Sequence, residues 1–340
     1  MKYSMSLSAV LKKLSTVTVM LPFFAIGTQA LASEPLRLCA IYPHLKDSYW
    51  LSVNYGMVDE ARKQQVNLRV LEAGGYTNIA KQKEQLSLCA RWKADAIILG
   101  TVAPGLYGNS LKQYTDSIPV FATVNELVLD EQNQSLLKGK VGVDWYWMGH
   151  YAGEYLKQKH PKGSGIANIA FLPGPKSSGG TNPVLRGFYT AIEESDIRIV
   201  ETLWADNDKE LQRNLVQKAI ENDKVHYIVG SAVAIEAAIS ELRTAGKSNQ
   251  IGLVSTYLSH GVYRGLLRGR VEFAPTDQMV KQGRLSVQQA VNYLKGEPYD
   301  RISAPNIEPL TPQKLDNQVI RDSLSPSKYR PTFYVYRENN

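Results

Sequence analysis

Pro43–Tyr76 reads PHLKDSYWLSVNYGMVDEARKQQVNLRVLEAGGY, and how it is parsed decides the fold. An apolar run, Leu36–Ile41, leads into it as a strand. The loop that follows carries Asp47, Tyr49 and Trp50 and opens a helix over 49–64, on which Val53, Met57 and Ala61 trace one face. A second strand, Asn67–Glu72, ends at the turn Gly74-Gly75-Tyr76. In a parallel sheet both loops lie at the carboxyl edge of neighbouring strands, where open α/β folds hold ligands. Here that edge is aromatic.

The same alternation runs on through the chain and predicts βαβ units with parallel sheets. A helix over 79–92, a buried strand over 94–100, a short helix through Leu111 and Tyr114 and a strand over 118–123 complete a first array. A polar excursion over 129–140 precedes a restart at Val141-Gly142-Val143-Asp144. Helix 145–159, strand 166–172, helix 183–194, strand 197–203, helix 209–220, strand 225–229, helix 232–244 and strand 251–255 repeat the opening order. Two arrays of similar length predict two doubly wound lobes with a hinged ligand cleft between them. The expected division is 33–142 plus 260–300 for the first lobe and 143–259 plus 301–340 for the second.

Residues 1–32 have the three parts of a cleavable secretory signal. Lys2, Lys12 and Lys13 precede an apolar run over 14–26, and Ala30-Leu31-Ala32 supplies small residues at cleavage spacing. The apolar run is shorter than the roughly 20 residues of a membrane span. Export is expected. Without those three lysines, 36 basic residues face 32 acidic ones, a net charge of +4. That bias is small, and with no basic run or helix-turn-helix pattern it argues against nucleic acid.

Cys39, in the first strand, and Cys89, on the helix over 79–92, are the only cysteines. An oxidising compartment permits a bridge between them. The other reading is two small apolar side chains sharing a core. Neither makes a zinc site, since the spacing matches no metal pattern.

Catalytic motifs are missing. His44, His150, His160, His226 and His260 are scattered, and there is no nucleophile elbow and no phosphate-binding lysine loop. No cofactor is expected. What stands out is aromatics at strand ends: Tyr49, Trp50, Tyr76, Trp145 with Tyr146 and Trp147, and Tyr257. Aromatic faces attract a desolvated alkylammonium cation, each contact worth about 0.5–2 kcal/mol. Asp47, Asp144, Asp206, Asp208 and Asp277 lie near the same edge. Capping of the following helix is the default for Asp47, Asp208 and Asp277. Asp47 is also a site candidate, because it adjoins the aromatic pair.

The segments 59–76 and 82–100, with the βα phasing and the leader, resemble type I periplasmic binding proteins, the ribose- and galactose-binding superfamily. Sugar-binding members follow the last second-lobe strand with an aspartate, whereas this chain has Ser255-Thr256-Tyr257. A narrower resemblance rests on LCAIYPHLKDSYWLSVNYGM (38–57), LEAGGY (71–76), VGVDWYWMG (141–149), LPGPKSSGG (172–180), YLSHGVYRGLLRGRV (257–271), TDQMVKQG (276–283) and SLSPSKYRP (323–331). It is to the members that bind trimethylamine N-oxide and work with a membrane sensor histidine kinase. It implies a non-enzymatic receptor whose aromatic box comprises Tyr49, Trp50, Tyr76, Trp145 and Tyr257. Tyr146 and Trp147 are not part of that implied box. The alternative is the solute-binding subunit of an importer for a sugar or betaine.

Overall fold

The computed structural model describes residues 34–176 and 179–337. The expected signal segment, 1–32, lies outside the described residues. The first array consists of β1 (Arg37–Tyr42), α1 (Ser48–Lys63), β2 (Asn67–Glu72), α2 (Ile79–Arg91), β3 (Ala96–Leu99), α3 (Leu111–Thr115), β4 (Val120–Thr123), α4 (Glu131–Gln134) and β5 (Leu137–Val141). The second consists of α5 (Trp145–Lys159), β6 (Ala167–Gly174), α6 (Thr181–Ile192), β7 (Ile197–Trp204), α7 (Lys209–Ile220), β8 (Tyr227–Gly230), α8 (Ala232–Thr244) and β9 (Gly252–Ser255). The rest of the chain forms α9 (His260–Leu267), β10 (Ala274–Thr276), α10 (Met279–Lys295), β11 (Ile302–Ser303), β12 (Glu308–Leu310), α11 (Asn317–Ser323) and β13 (Tyr334–Val335).

Both sheets have the same winding. Parallel strands in the order β2-β1-β3-β4 in the first and β7-β6-β8-β9 in the second reverse direction of growth beside their first strand. Each therefore has a switch point at the carboxyl ends of its central strands, and the two switch points supply the cleft. The doubly wound α/β class read from the sequence is the fold observed. The lobes also share a packing device. A Cβ on Gly56 of α1 would lie 2.0 Å from the Val280 carbonyl oxygen of α10, and one on Gly149 of α5 would lie 1.9 Å from that of Val184 on α6. In each lobe a glycine lets two helix backbones touch.

Three expectations about the strands and lobes need correction. First, the polar excursion over 129–140 contains β5, which pairs with β4. Lys138 and Lys140 disguise it; they are half-buried while Gly139 and Val141 face inward. Second, 260–276 stays with the second lobe. Gly265 of α9 nests against Ile239 of α8 and Val271, and Phe273 bridges Val254 of β9. Third, the tail over 301–340 does not simply return to the second lobe. β11 pairs with β5 and β13 with β2, both in the first sheet, while only β12 joins β10. The unmet edges of the first sheet, β5 and β2, take up the tail because an edge strand left open exposes a row of unpaired backbone groups.

Cys39 on β1 and Cys89 on α2 are bonded, with Cα atoms 5.8 Å apart. The bridge lies in the core beneath α2, among Ile41, Leu86, Ile97 and Leu99.

Candidate functional site

Asp47 ends the β1 loop in extended backbone and caps α1, accepting a 3.1 Å hydrogen bond from the Trp50 amide. That cap sets the direction of the first helical turn, and so of Tyr49 and Trp50. Trp50 is buried, stacked on Tyr42 with ring centres 5.5 Å apart. Its indole fits because residue 100 is glycine: a Cβ there would lie 2.5 Å from the ring. Trp50 Nε1 donates to the Tyr76 hydroxyl at 3.3 Å.

Tyr49 is held differently. Its hydroxyl donates to Oδ2 of Asp277 at 2.5 Å, and Gln282 Nε2 donates to the same oxygen at 2.7 Å. Asp277 was expected to cap the next helix. It does not: α10 begins at Met279, the N-cap position is Gln278 in left-handed backbone without a side-chain cap, and the Asp277 carboxyl instead anchors the tyrosine. Burial raises the Asp277 pKa above the usual carboxylate range. Burial, and then the neighbouring Asp277, push the Tyr49 phenol well up.

Trp145 opens α5 on the second lobe, positioned by Asp144, which caps that helix through the Tyr146 amide at 2.9 Å. Its indole donates to the Val124 carbonyl at 3.4 Å. Tyr257 follows β9. Tyr49, Trp145 and Tyr257 meet as a triangle with centroid separations of 6.0 Å (Tyr49–Trp145), 5.4 Å (Tyr49–Tyr257) and 6.1 Å (Trp145–Tyr257). Three segments far apart in sequence thus present ring faces and edges to one another across the lobes.

The rings line a cavity of about 40 Å³ together with Asp47, Trp50, Tyr76, Asn125, Thr181 and Asn207. A water needs roughly 10–15 Å³ of such space, so about three water-sized spheres fit. That suits a very small solute and is tight for a sugar ring. The structure brings Asp47, Tyr49, Trp50, Tyr76, Trp145 and Tyr257 to this one cavity. Tyr146 and Trp147 point elsewhere, packed on each other at 5.3 Å and against His150, with Trp147 nearly half exposed. Asp208 caps α7, and Asp206 accepts from the Asn207 amide.

Two hydroxyls are available to a ligand. The Tyr76 oxygen accepts from Trp50 Nε1 and, at 3.5 Å, from Asn125 Nδ2, which leaves its proton to donate. The Tyr257 hydroxyl is buried and, among the described residues, has no partner at hydrogen-bond geometry, the Ser231 side chain lying nearby. Burial raises both phenols, Tyr76 to about 12 and Tyr257 well above its ordinary value with help from the Asp47 charge, so both stay protonated donors. Asn125, Thr181 and Asn207 escaped the sequence reading. Single amides and hydroxyls after strands have no signature, though Asn125 does follow the carboxyl end of β4.

A two-lobed, doubly wound α/β chain with an interlobe cavity is the architecture of the periplasmic binding proteins. The chain belongs to this family: residues 36–332 match the periplasmic binding proteins and sugar binding domain of the LacI family. Within it, the chain is 43% identical over 310 residues to Periplasmic protein TorT of Escherichia coli strain K12, covering 91% of this chain and 87% of that one. The narrower likeness read from the sequence is to this protein. Crystal structures of a TorS sensor domain–TorT complex, without ligand and in the presence of TMAO, each superpose with a TM-score of 0.84 at 65% and 66% identity, covering 88% of this chain and 99% of theirs. An ABC transporter solute binding protein from Bradyrhizobium sp. BTAi1, with bound bis-tris, matches at TM-score 0.73 and 33% identity, covering 88% of this chain and 90% of that one.

Proposed function

We propose that this chain is a periplasmic receptor that binds trimethylamine N-oxide between its lobes and signals through a TorS-type sensor histidine kinase. The observation that carries the ligand is the Tyr49–Trp145–Tyr257 triangle around a cavity with room for about three waters. Trimethylamine N-oxide has three methyl groups on a positively polarised nitrogen and one oxygen of strong acceptor character. The ring faces, with the Asp47 carboxylate beside them, stabilise the methylated end. The Tyr76 and Tyr257 hydroxyls donate to the oxygen. A chain of this family is a binding protein, and the receptor carries out no chemistry on its ligand. Its likeness to the TorS–TorT complexes supports the kinase partner.

A solute-binding subunit of an importer, for a sugar or betaine, is the second reading, favoured by the 33% identical transport relative. Thermal-shift measurements on the purified mature protein with trimethylamine N-oxide, betaine, ribose and galactose separate the ligands, because a ligand bound to the folded state raises its apparent stability. Stabilisation by trimethylamine N-oxide alone is expected. Stabilisation by a sugar or betaine instead would overturn the reading.

A further inference from the structure

On the second lobe, outside the aromatic box, a groove of about 440 Å³ runs between α8 and α9. Its walls carry Lys209, Arg243, Arg264, Arg268 and Arg270, opposed by the single acid Glu236. That local excess of four positive charges equals the net charge of the whole chain from residue 33 onward. The remaining charges from residue 33 onward therefore sum to zero, while this groove carries a local positive excess.

The cations are not spoken for. Among the described residues Lys209, Arg243, Arg264 and Arg268 make no ion pair, in contrast with the paired Lys159, Arg213, Lys247 and Arg284. Arg270 reaches only the Asn249 side-chain oxygen, at 3.2 Å. Glu236 is occupied by the start of α9: it accepts from the Ser259 hydroxyl and, at 3.2 Å, from the Gly261 amide. Arg264 on α9 and Arg268, the residue that caps its carboxyl end, stand four apart, a like-charge spacing that weakens a helix end unless an anion bridges it. The floor is apolar, with Ile239, Leu242 and Leu253. Small inorganic anions do not need such a floor; a protein segment does.

We propose that this groove docks an acidic segment of the sensor partner, with two carboxylates about one helical turn apart meeting Arg264 and Arg268. Arginine suits this role, because its planar fork pairs a carboxylate through two hydrogen bonds. The identity of the partner rests on the receptor reading above; the acidic chemistry comes from the groove. The site is tied to the ligand. The His260 amide, first of α9, donates to Ser48 Oγ at 3.1 Å, and Ser48 stands between Asp47 and Tyr49. A second groove, touching Asp47 and Ser48, shares Lys209, Glu236, Gly261 and Arg264 with the first. Movement of the Asp47–Tyr49 turn on ligand binding therefore shifts the helix that bears the two arginines.

The test is binding of the purified periplasmic sensor domain of a TorS-type kinase to the mature protein, with trimethylamine N-oxide present. The variants are Arg264→Glu/Arg268→Glu and a control with equal charge change away from the groove, Lys112→Glu/Lys162→Glu. The groove variant is expected to bind the sensor domain at least about 30-fold more weakly, and the control within about threefold. Calorimetric affinity for trimethylamine N-oxide should be unchanged in both, showing intact folds. Equal loss in the two variants, or no loss in the groove variant, overturns the groove as the docking surface and leaves the receptor reading standing. If the unmutated protein binds trimethylamine N-oxide but no sensor domain, the partner reading falls and the proposal with it. Titration with inorganic phosphate at constant ionic strength adds a further outcome: saturable binding that leaves the sensor interaction intact makes the groove a small-anion site and contradicts the proposal.

Discussion

The Tyr49 hydroxyl donates a 2.5 Å hydrogen bond to the buried carboxyl of Asp277, across 228 positions of sequence. Asp277 sits where the chain leaves β10 in the second lobe and enters α10 in the first. A cavity-lining ring is thus fixed by the crossing between lobes. Tyr49→Phe should lower stability by about 1–3 kcal/mol, because the buried carboxyl loses one of its two side-chain donors and keeps only Gln282. Urea unfolding at pH 7 measures it.

Asp277 also predicts a pH dependence. Its folded pKa is raised by burial, so the folded state binds the proton more tightly than the unfolded chain does. Stability from this group is full below the ordinary aspartate value of about 3.9 and declines as pH rises from there through the raised folded value. Asp277→Asn is neutral throughout and keeps an oxygen to accept from Tyr49. The stability of the wild type relative to Asp277→Asn should fall steadily as pH rises from about 4. A flat difference between pH 4 and 8 would mean the carboxyl is not perturbed.

Tyr257→Phe isolates the polar end of the ligand. Among the described residues the hydroxyl has no partner at hydrogen-bond geometry, so its removal should leave stability within about 0.5 kcal/mol. Affinity for trimethylamine N-oxide should fall about 10- to 100-fold, the value of a hydrogen bond to a strongly charged acceptor. Tetramethylammonium has the methyl groups without the oxygen, and its affinity should not change. Parallel calorimetric titrations of both solutes read the difference.

Gly100→Ala probes the support of the box. The added Cβ would meet the Trp50 ring at 2.5 Å. The indole must shift, costing about 1–3 kcal/mol of stability, and its hydrogen bond to Tyr76 goes with it. Reduced stability with undiminished ligand affinity would show that Trp50 only packs.

Removing the Cys39–Cys89 bond as Cys39→Ala/Cys89→Ala opens a loop of 50 positions. Loop entropy alone assigns that closure about 4 kcal/mol. Equilibrium unfolding should show a loss of that order. Ligand affinity should hold, since the bridge lies under α2 and none of the cavity's lining residues belongs to that helix.

The contrast between Tyr49 and Asp277 shows where sequence is legible. Tyr49, Trp50, Tyr76, Trp145 and Tyr257 all follow strands or open helices, so βα phasing alone sends them to one edge. Asp277 also precedes a helix, and local rules make it a cap; its actual partner is set by tertiary contact. Likewise β5 hides behind Lys138 and Lys140, whose long stems can lie along a sheet edge while their charges reach water. The short strands β11 and β13 have two residues each and no period to detect. Only the open edges of the first sheet explain where they go. Net charge, averaged over the chain, likewise concealed the groove beside α9.

The central claim is that the interlobe aromatic box binds trimethylamine N-oxide. Calorimetric titration of that solute into the mature protein and its Trp145→Ala variant tests it most directly. Trp145 is only partly buried, so the variant should fold with a similar thermal midpoint. One molecule should bind per chain in the wild type, with at least about tenfold weaker binding in the variant, the loss of one desolvated cation–aromatic contact and its apolar area. Equal affinity in the two proteins would contradict the account.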